Sequence, residues 1–325
     1  MSHIQFTRDS RVELAILLSA GKNHGQCAKI LGMHRSSVCR EVDKNKDSDG
    51  MYRGGHAHKR ATGRRKLAKQ LKRKIENDPK LQRHIIRKLK CLWSPEQIAG
   101  RLKHTKGDTK VCMETIYTFV YEERPDLVKY LRRQKNKYRK RRGSWSRILT
   151  NKASKIRRIE ERPDVVETRS RIGDWEGDTV VGKEKTARIL TYVERKSGLG
   201  IADKLSVVTA EIVLSKTVLL FKQIPVAARN TLTRDNGVEF GDLDFDLEEK
   251  TQLLVYRATP YHSWERGTNE NWNGLLRQFF PKGSYFAIIT QVQVRQAVRS
   301  LNNRPRKRLG YLTPREVFNK CCNSS

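Results

Sequence analysis

The apolar residues of this chain change their period at Pro163, and that change limits what the polypeptide can fold into. Upstream they recur three and four positions apart, as on one face of a helix. Downstream come short strand-like runs at 179–181, 189–194 and 200–208, bounded by Gly, Lys or Ser. Ser197-Gly198 suits a hairpin turn between the second and third runs. A helix is expected at about 210–222, then a strand at 231–233, a helix, a further strand at 253–257, and helices at 268–280 and about 290–302. Three strands, a helix, a strand, a helix, a strand and helices is an α/β order built on one mixed sheet. The chain is therefore expected to be multidomain, with an all-α front and an α/β back.

The front resolves further. Apolar Val12, Ala15, Ile16 and Leu18 predict a first helix ended by Gly21, and Ala28, Ile30 and Leu31 a second ended by Gly32. A third runs from about His34 to Asp43, with Val38 as its buried anchor and Arg35, Ser36, Ser37 and Arg40 facing outward. Two short helices joined by a Gly-bearing turn form a helix-turn-helix, whose second helix enters the DNA major groove. Residues 51–90 read as a basic helical linker, with Leu67, Leu71 and Ile75 at spacing four. Ser94, Pro95 and Gln97 form a strong helix start. The helix it opens, with another at 113–121, makes a second helix-turn-helix-like unit over 91–128, offering Glu114, Thr115 and Thr118 for contacts. Residues 129–163 form a second basic linker that includes Arg139, Lys140, Arg141 and Arg142. The α/β domain then occupies 164–325.

Charge identifies the partner class. The 325 residues carry a net charge of +33, far beyond what solubility requires, and point to a polyanion. Residues 1–160 hold 42 Lys and Arg against 15 Asp and Glu, so the front grips and the back keeps most of the acidic chemistry. The six cysteines show no CxxC pair and no metal-ligand spacing with His, which fits reduced thiols. No apolar run approaches the ~20 residues of a membrane span, so a cytoplasmic, nucleoid-associated protein is expected.

Within the α/β part, Asp174, Glu176 and Asp178 alternate onto one face of the first strand, and spacing alone does not choose among them. Asp235, before Asn236-Gly237, stands exposed at the tip of a later strand. Glu270 lies on a helix, with Arg277 two turns along the same face. Two carboxylates at strand ends and one on a helix suit a pair of Mg²⁺ ions, which take hard oxygen ligands and drive in-line displacement at phosphorus.

Asp178, Asp235 and Glu270, with the seven-residue step to Arg277, resemble the DDE transposases and retroviral-type integrases. The surrounding wording is similar to the IS30 family of insertion-sequence transposases: 173–178 (GDWEGD), 235–240 (DNGVEF) and 260–271 (PYHSWERGTNEN). Phe280-Pro281-Lys282-Gly283 and 302–307 extend the match, and 31–41 and 93–99 look like that family's two helix-turn-helix units. The resemblance implies a ribonuclease-H-like fold for the α/β domain and singles out Asp178 over Asp174. It implies that Asp178, Asp235 and Glu270 are catalytic metal ligands for two Mg²⁺, with Mn²⁺ as a substitute, alongside a catalytic Arg277. Asn271 and Lys282, inside the matched motifs, become candidate DNA contacts. Two positions depart from the pattern: Asp174 stands where His is expected, and Trp272 where a small polar residue is usual.

The implied function is a DNA transposase that binds terminal inverted repeats of its element. It would nick the ends and join the freed 3′-hydroxyl to target DNA, working as a dimer or higher oligomer. A catalytically inactive DNA-binding regulator and a cutting-only nuclease of the same fold are the alternatives.

Overall fold

The structure, a computed structural model, describes residues 5–71, 73–106, 111–132, 157–260 and 262–323. It divides into two compact units, Met1–Pro79 and Lys80–Ser325.

The first unit holds α1 (Arg8–Ser19), α2 (His24–Ile30), α3 (Arg35–Asn45) and α4 (Gly54–Leu71). Side chains start the first three. Thr7 and Ser10 form a reciprocal capping box on α1, Asn23 and Gln26 do so on α2, and the His34 ring accepts the Ser36 N–H at the start of α3. Leu14, Cys27, Ala28, Val38 and Val42 make the core. The face that α1 buries differs from the expected stripe, because Val12 and Ile16 are exposed while Arg11 is buried. Arg11 lies inside because Glu41 of α3 takes its guanidinium at 2.6 Å and the Phe6 carbonyl accepts from it at 2.8 Å. Ile30 of α2 is likewise exposed, and Cys27 beside Ala28 fills the core instead. Residues 54–71, expected as part of a linker, are a packed element. A Cβ at Gly54 would lie 2.5 Å from the Arg11 carbonyl oxygen, and Ala57 and Ala61 are buried. Arg60 and Arg64 of α4 donate to the Asn45 and Lys44 carbonyls at the end of α3, where a helix favours positive charge.

The second unit begins with α5 (Pro79–Lys90), α6 (Pro95–Lys106) and α7 (Met113–Thr118). Ser94 and Gln97 cap α6 reciprocally, as their spacing predicts. α8 (Val165–Thr168) leads into β1 (Asp174–Val181), β2 (Arg188–Glu194) and β3 (Gly200–Leu205). Next come α9 (Ala210–Phe221), β4 (Thr231–Arg234), α10 (Asp244–Thr251) and β5 (Leu254–Arg257), then α11 (Gly267–Leu276), α12 (Gln291–Asn302) and α13 (Pro314–Cys322). α6 is fastened to α13 by Arg101, which pairs with Glu316 and donates to the Tyr311 carbonyl.

The sheet runs β3-β2-β1-β4-β5, with β1–β2–β3 antiparallel and β1–β4–β5 parallel. This is the mixed sheet of a ribonuclease-H-like domain, and β1 starts five residues earlier than its apolar run suggested. Strand alternation divides the core in two. Trp175, Leu190, Tyr192 and Leu232 point to the side of α9, α10 and α13, where they meet Phe221, Leu247 and Phe318. Val180, Ile189 and Val193 point to the side of α11 and α12, where they meet Trp272, Leu276 and Val294. Asp174, Glu176 and Asp178 therefore point with Val180 toward α11. Among the described residues, no helix is long and apolar enough to cross a membrane.

Candidate active site

Each carboxylate on this face of β1 stands two positions from the next, yet their surroundings differ sharply. Asp174 is buried, accepts both Nε and Nη2 of Arg171 at 2.9 Å, and takes the Thr231 hydroxyl at 2.8 Å. Glu176 is fully buried. Arg195 Nη1 donates to its Oε1 at 3.0 Å, and the Asn269 backbone N–H to its Oε2 at 2.8 Å. Both are thus occupied: Asp174 ties β1 to β4 and to the segment before it, and Glu176 ties the sheet to α11. Asp178 is different. Asn273 Nδ2 donates to its Oδ2 at 2.9 Å and the Thr179 N–H to its Oδ1 at 2.8 Å, while the nearest cation, Arg266, stands 3.6 Å away. Its side chain stays 29% exposed.

Asp235 reaches the same place from β4. Parallel pairing sets Asp174 beside Thr231 and Glu176 beside Thr233, so two residues on, Asp178 comes abreast of Asp235. Asp235 lies just past the carboxyl end of β4, and Asp178 lies two residues beyond the last pair that β1 makes with β4, where the parallel part of the sheet opens as ligand-binding α/β sheets do. The Asn236 side chain anchors the turn to the Ala258 carbonyl at 2.8 Å. Glu239 ties the following segment back to β1, accepting from the Thr179 hydroxyl at 2.7 Å and from Arg188 at 2.5 Å. Gly177 beside Asp178 makes room for Tyr192, whose ring a Cβ there would meet at 2.7 Å.

Arg266 joins the two acids. Its Nη2 lies 3.2 Å from Asp235 Oδ2 and its Nη1 3.6 Å from Asp178 Oδ1. Burial, and with it the charge of Asp235, push the Asp178 carboxyl up to about 6 against the pull of Arg266. Neither Arg266 nor Asn273 is among the residues expected at the site. Their signal is helical spacing: Arg266 is four residues before Glu270 and Asn273 three after, on one face.

Glu270 stands exposed on that face of α11, one turn from Arg266. Among the described residues, no three His, Cys, Asp or Glu side chains group closely enough to hold a metal ion. The structure therefore brings Asp178 and Asp235 together and does not group Glu270 with them. Arg277, further along the stripe, donates to the Val181 carbonyl at 2.9 Å and sits 5.5 Å from the Phe286 ring centre, and burial lowers its pKa.

The remaining expected contacts are dispersed. In the first unit, Arg35, Ser36 and Arg40 are exposed on α3 and Ser37 is half-buried. Arg40 donates to the Ser36 carbonyl at 3.0 Å and to its hydroxyl at 3.2 Å. In the second unit, Thr115 is half-buried against the Cys112 thiol at 3.2 Å, and Asn271 and Lys282 are exposed. Arg139, Lys140, Arg141 and Arg142 lie outside the described residues. The two departures from the family pattern have clear partners. Asp174 is the Arg171 and Thr231 ligand described above. Trp272 is buried against Gly200, where a Cβ would overlap its indole at 2.3 Å.

No protein-family model matches the chain. A transposase of insertion sequence element IS4351 from Bacteroides fragilis is 37% identical over 325 residues, covering 98% of this chain and 97% of its own. The InsI transposase of element IS30A from Escherichia coli K12 is 34% identical, covering 97% of this chain and 83% of its own. The catalytic core domain of BIV integrase overlays 47% of this chain and 97% of its own at 22% identity, with a TM-score of 0.39. With relatives of this identity along nearly its whole length, the chain belongs to the IS30 family of insertion-sequence transposases.

Proposed function

We propose that this transposase cuts and joins DNA at the Asp178–Asp235 pair, with Glu270 as third carboxylate, after seizing the terminal inverted repeats of its element. The observation that carries the reading is the pairing itself. Two carboxylates on neighbouring strands share one guanidinium, and Asp178 lacks the guanidinium at hydrogen-bond distance that occupies Asp174 and Glu176. The donor set fits divalent metal, being all oxygen, partly exposed, and already arranged about a positive charge. Asp178 and Asp235 would hold the ions, with Glu270 reaching in from four residues past Arg266. Magnesium, or manganese in its place, supplies two positive centres that polarise the phosphoryl group and stabilise the leaving oxygen.

The chain's own residues do the rest. Asn273 fixes the rotamer of Asp178, and Arg266 offsets the repulsion between the two acids. Arg277, at the end of α11, and Lys282 offer cations to DNA phosphates, and the amide of Asn271 offers N–H donors. Arg35, Ser36, Ser37 and Arg40 of α3, with Thr115 of α7, meet bases and phosphates of the duplex. Arg139, Lys140, Arg141 and Arg142 add charge against the backbone. In cleavage, water displaces a 3′ oxygen from phosphorus. In transfer, that oxygen attacks a second phosphodiester, one P–O bond forming as another breaks. Two ends must meet, so a dimer or higher oligomer on DNA, at the nucleoid, is part of the proposal.

The test is a strand-transfer assay with the full chain, Mg²⁺ and a duplex carrying the inverted repeats that bracket its gene. Joined products from the wild type and none from Asp178→Asn are expected. Nicks without joints would make it a nuclease, and end binding without chemistry a regulator. Absence of end binding would overturn the reading.

A further inference from the structure

A second polar recess lies around α11 from the catalytic stripe. Arg266, Glu270, Asn273 and Arg277 share one face of this helix, and Thr268, Asn271, Trp272 and Leu275 share another. The second face walls a cavity of about 140 Å³ whose opposite side is Arg169, Arg306 and Arg308. Three guanidiniums thus converge on a space with room for one small anion.

Nothing nearby neutralises them. Among the described residues, no carboxylate lies within ion-pairing distance of any of the three. Arg308 donates to the Lys196 carbonyl at 2.7 Å and Arg306 to the Leu301 carbonyl at 3.4 Å, which leaves donors to spare on both. Glu194 and Glu176 send some field to Arg308, but both are committed elsewhere. Ser197 bonds Glu194, and Arg195 and Asn269 bond Glu176. Burial, then the charges of Arg308 and Arg132, bring Arg306 down to about 10, and burial with Arg169 lowers Arg308. Clustered cations held against their own repulsion favour an anion.

Two further donors lack acceptors. Trp272, only 2% exposed, is a lining residue whose indole N–H meets no partner, and the hydroxyl of the neighbouring lining residue Thr268 is likewise buried and unpartnered. A donor-only group buried without an acceptor costs about 1–3 kcal/mol. Gly267 and Thr268, in the first turn of α11, also line the recess, so the positive end of the helix dipole lies on the same side.

We infer that this recess seats one phosphate of the DNA backbone, held by Arg169, Arg306 and Arg308, about one helix width (~10–12 Å) from the catalytic stripe. The inference rests on the DNA-transposase reading, which supplies the phosphodiester. Its role is to fix where the strand lies relative to Asp178 and Asp235, so that the reacting phosphorus is presented in register. Planar forks suit such a seat, because an Arg takes two phosphate oxygens at once.

The experiment is binding of the full chain to the gene-flanking inverted-repeat duplex, scanned with single methylphosphonate linkages that remove one phosphate charge at a time. In the wild type, one linkage should weaken binding about tenfold, as loss of a charge-assisted bond does. In Arg169→Ala/Arg308→Ala the same linkage should then make no further difference, whereas Arg169→Lys/Arg308→Lys should regain part of the effect. Equal losses in the wild type and the alanine variant at every linkage would overturn the seat while leaving the transposase reading intact. A wild type that ignores the duplex altogether would remove the reading and the seat together. Retained melting behaviour of the alanine variant shows that it folds.

Discussion

Glu176 and Asp178 are two residues apart on the same face of the same strand, and they have opposite fates. Glu176 receives a guanidinium and a backbone N–H and is sealed from water. Asp178 receives an amide and its neighbour's N–H, looks across at another carboxylate, and remains partly exposed. A buried carboxylate with all its donors is a structural joint. One held beside a like charge, with its proton affinity raised, is kept ready for a cation. α11 makes the difference: its first turn gives Asn269 to Glu176, and its next offers Asn273 to Asp178.

Breaking the functional member should have the largest effect. Asp178→Asn is expected to lower strand transfer by about 10³-fold or more, since removing a ligand forfeits several kcal/mol of charge stabilisation. Its fold should persist. If the variant keeps even a tenth of wild-type joining, the assignment of Asp178 falls. Breaking the structural member should invert the pattern. Glu176→Gln strands Arg195 beside only Glu167, 3.0 Å away, and should cost about 3 kcal/mol of stability, read as a lower denaturation midpoint. An unchanged midpoint would make Glu176 dispensable and dissolve the contrast.

How far this could be read in advance depended on whether local pattern or distant partners decided. Strand alternation placed Asp174, Glu176 and Asp178 on one face, and the Asn236-Gly237 turn put Asp235 at a strand tip; both are local properties. Which of the three β1 acids stays open depends on Arg171, Arg195 and Asn269, and no local spacing says which acid each of them will meet. The same limit hid the buried face of α1. Arg11 enters the core because Glu41, thirty residues away, awaits it, so hydrophobic spacing chose Val12 and Ile16 instead. Residues 54–71 read as a linker because their charge is high, while Gly54, Ala57 and Ala61, small enough for close helix contact, carry little apolar signal.

Arg266 sharpens the comparison by occupying the cation position between Asp178 and Asp235. In Arg266→Gln the two carboxylates face each other unscreened, and the metal-free protein should lose about 2 kcal/mol. Millimolar Mg²⁺ should restore much of that loss in the variant and add less to the wild type, where the guanidinium competes for the same oxygens. Thermal melts of both proteins with and without the ion decide it. A deficit of equal size in both conditions would mean that Arg266 braces the fold and has no bearing on cation entry.

The smallest effect is the most direct reading of Asp178 itself. Its folded pKa, about 6, lies above the ordinary value of 3.8, so between those limits the native state holds a proton that the unfolded chain has released. Stability of the metal-free protein must therefore fall as pH rises through this window. The share due to Asp178 is on the order of 1–2 kcal/mol once its partial exposure is allowed for. Asp178→Asn carries no such proton. Subtracting its unfolding free energies from those of the wild type should leave a curve that is flat below pH 4, declines to about pH 6 and is flat again above. Glu176→Gln, measured alongside, should lack any decline centred there, because Asp178 still titrates in both proteins of that pair and cancels. A wild-type minus Asp178→Asn curve that rises with pH would mean that the site stabilises its own negative charge without a metal, and the distinction between the two acids would then lie in exposure alone.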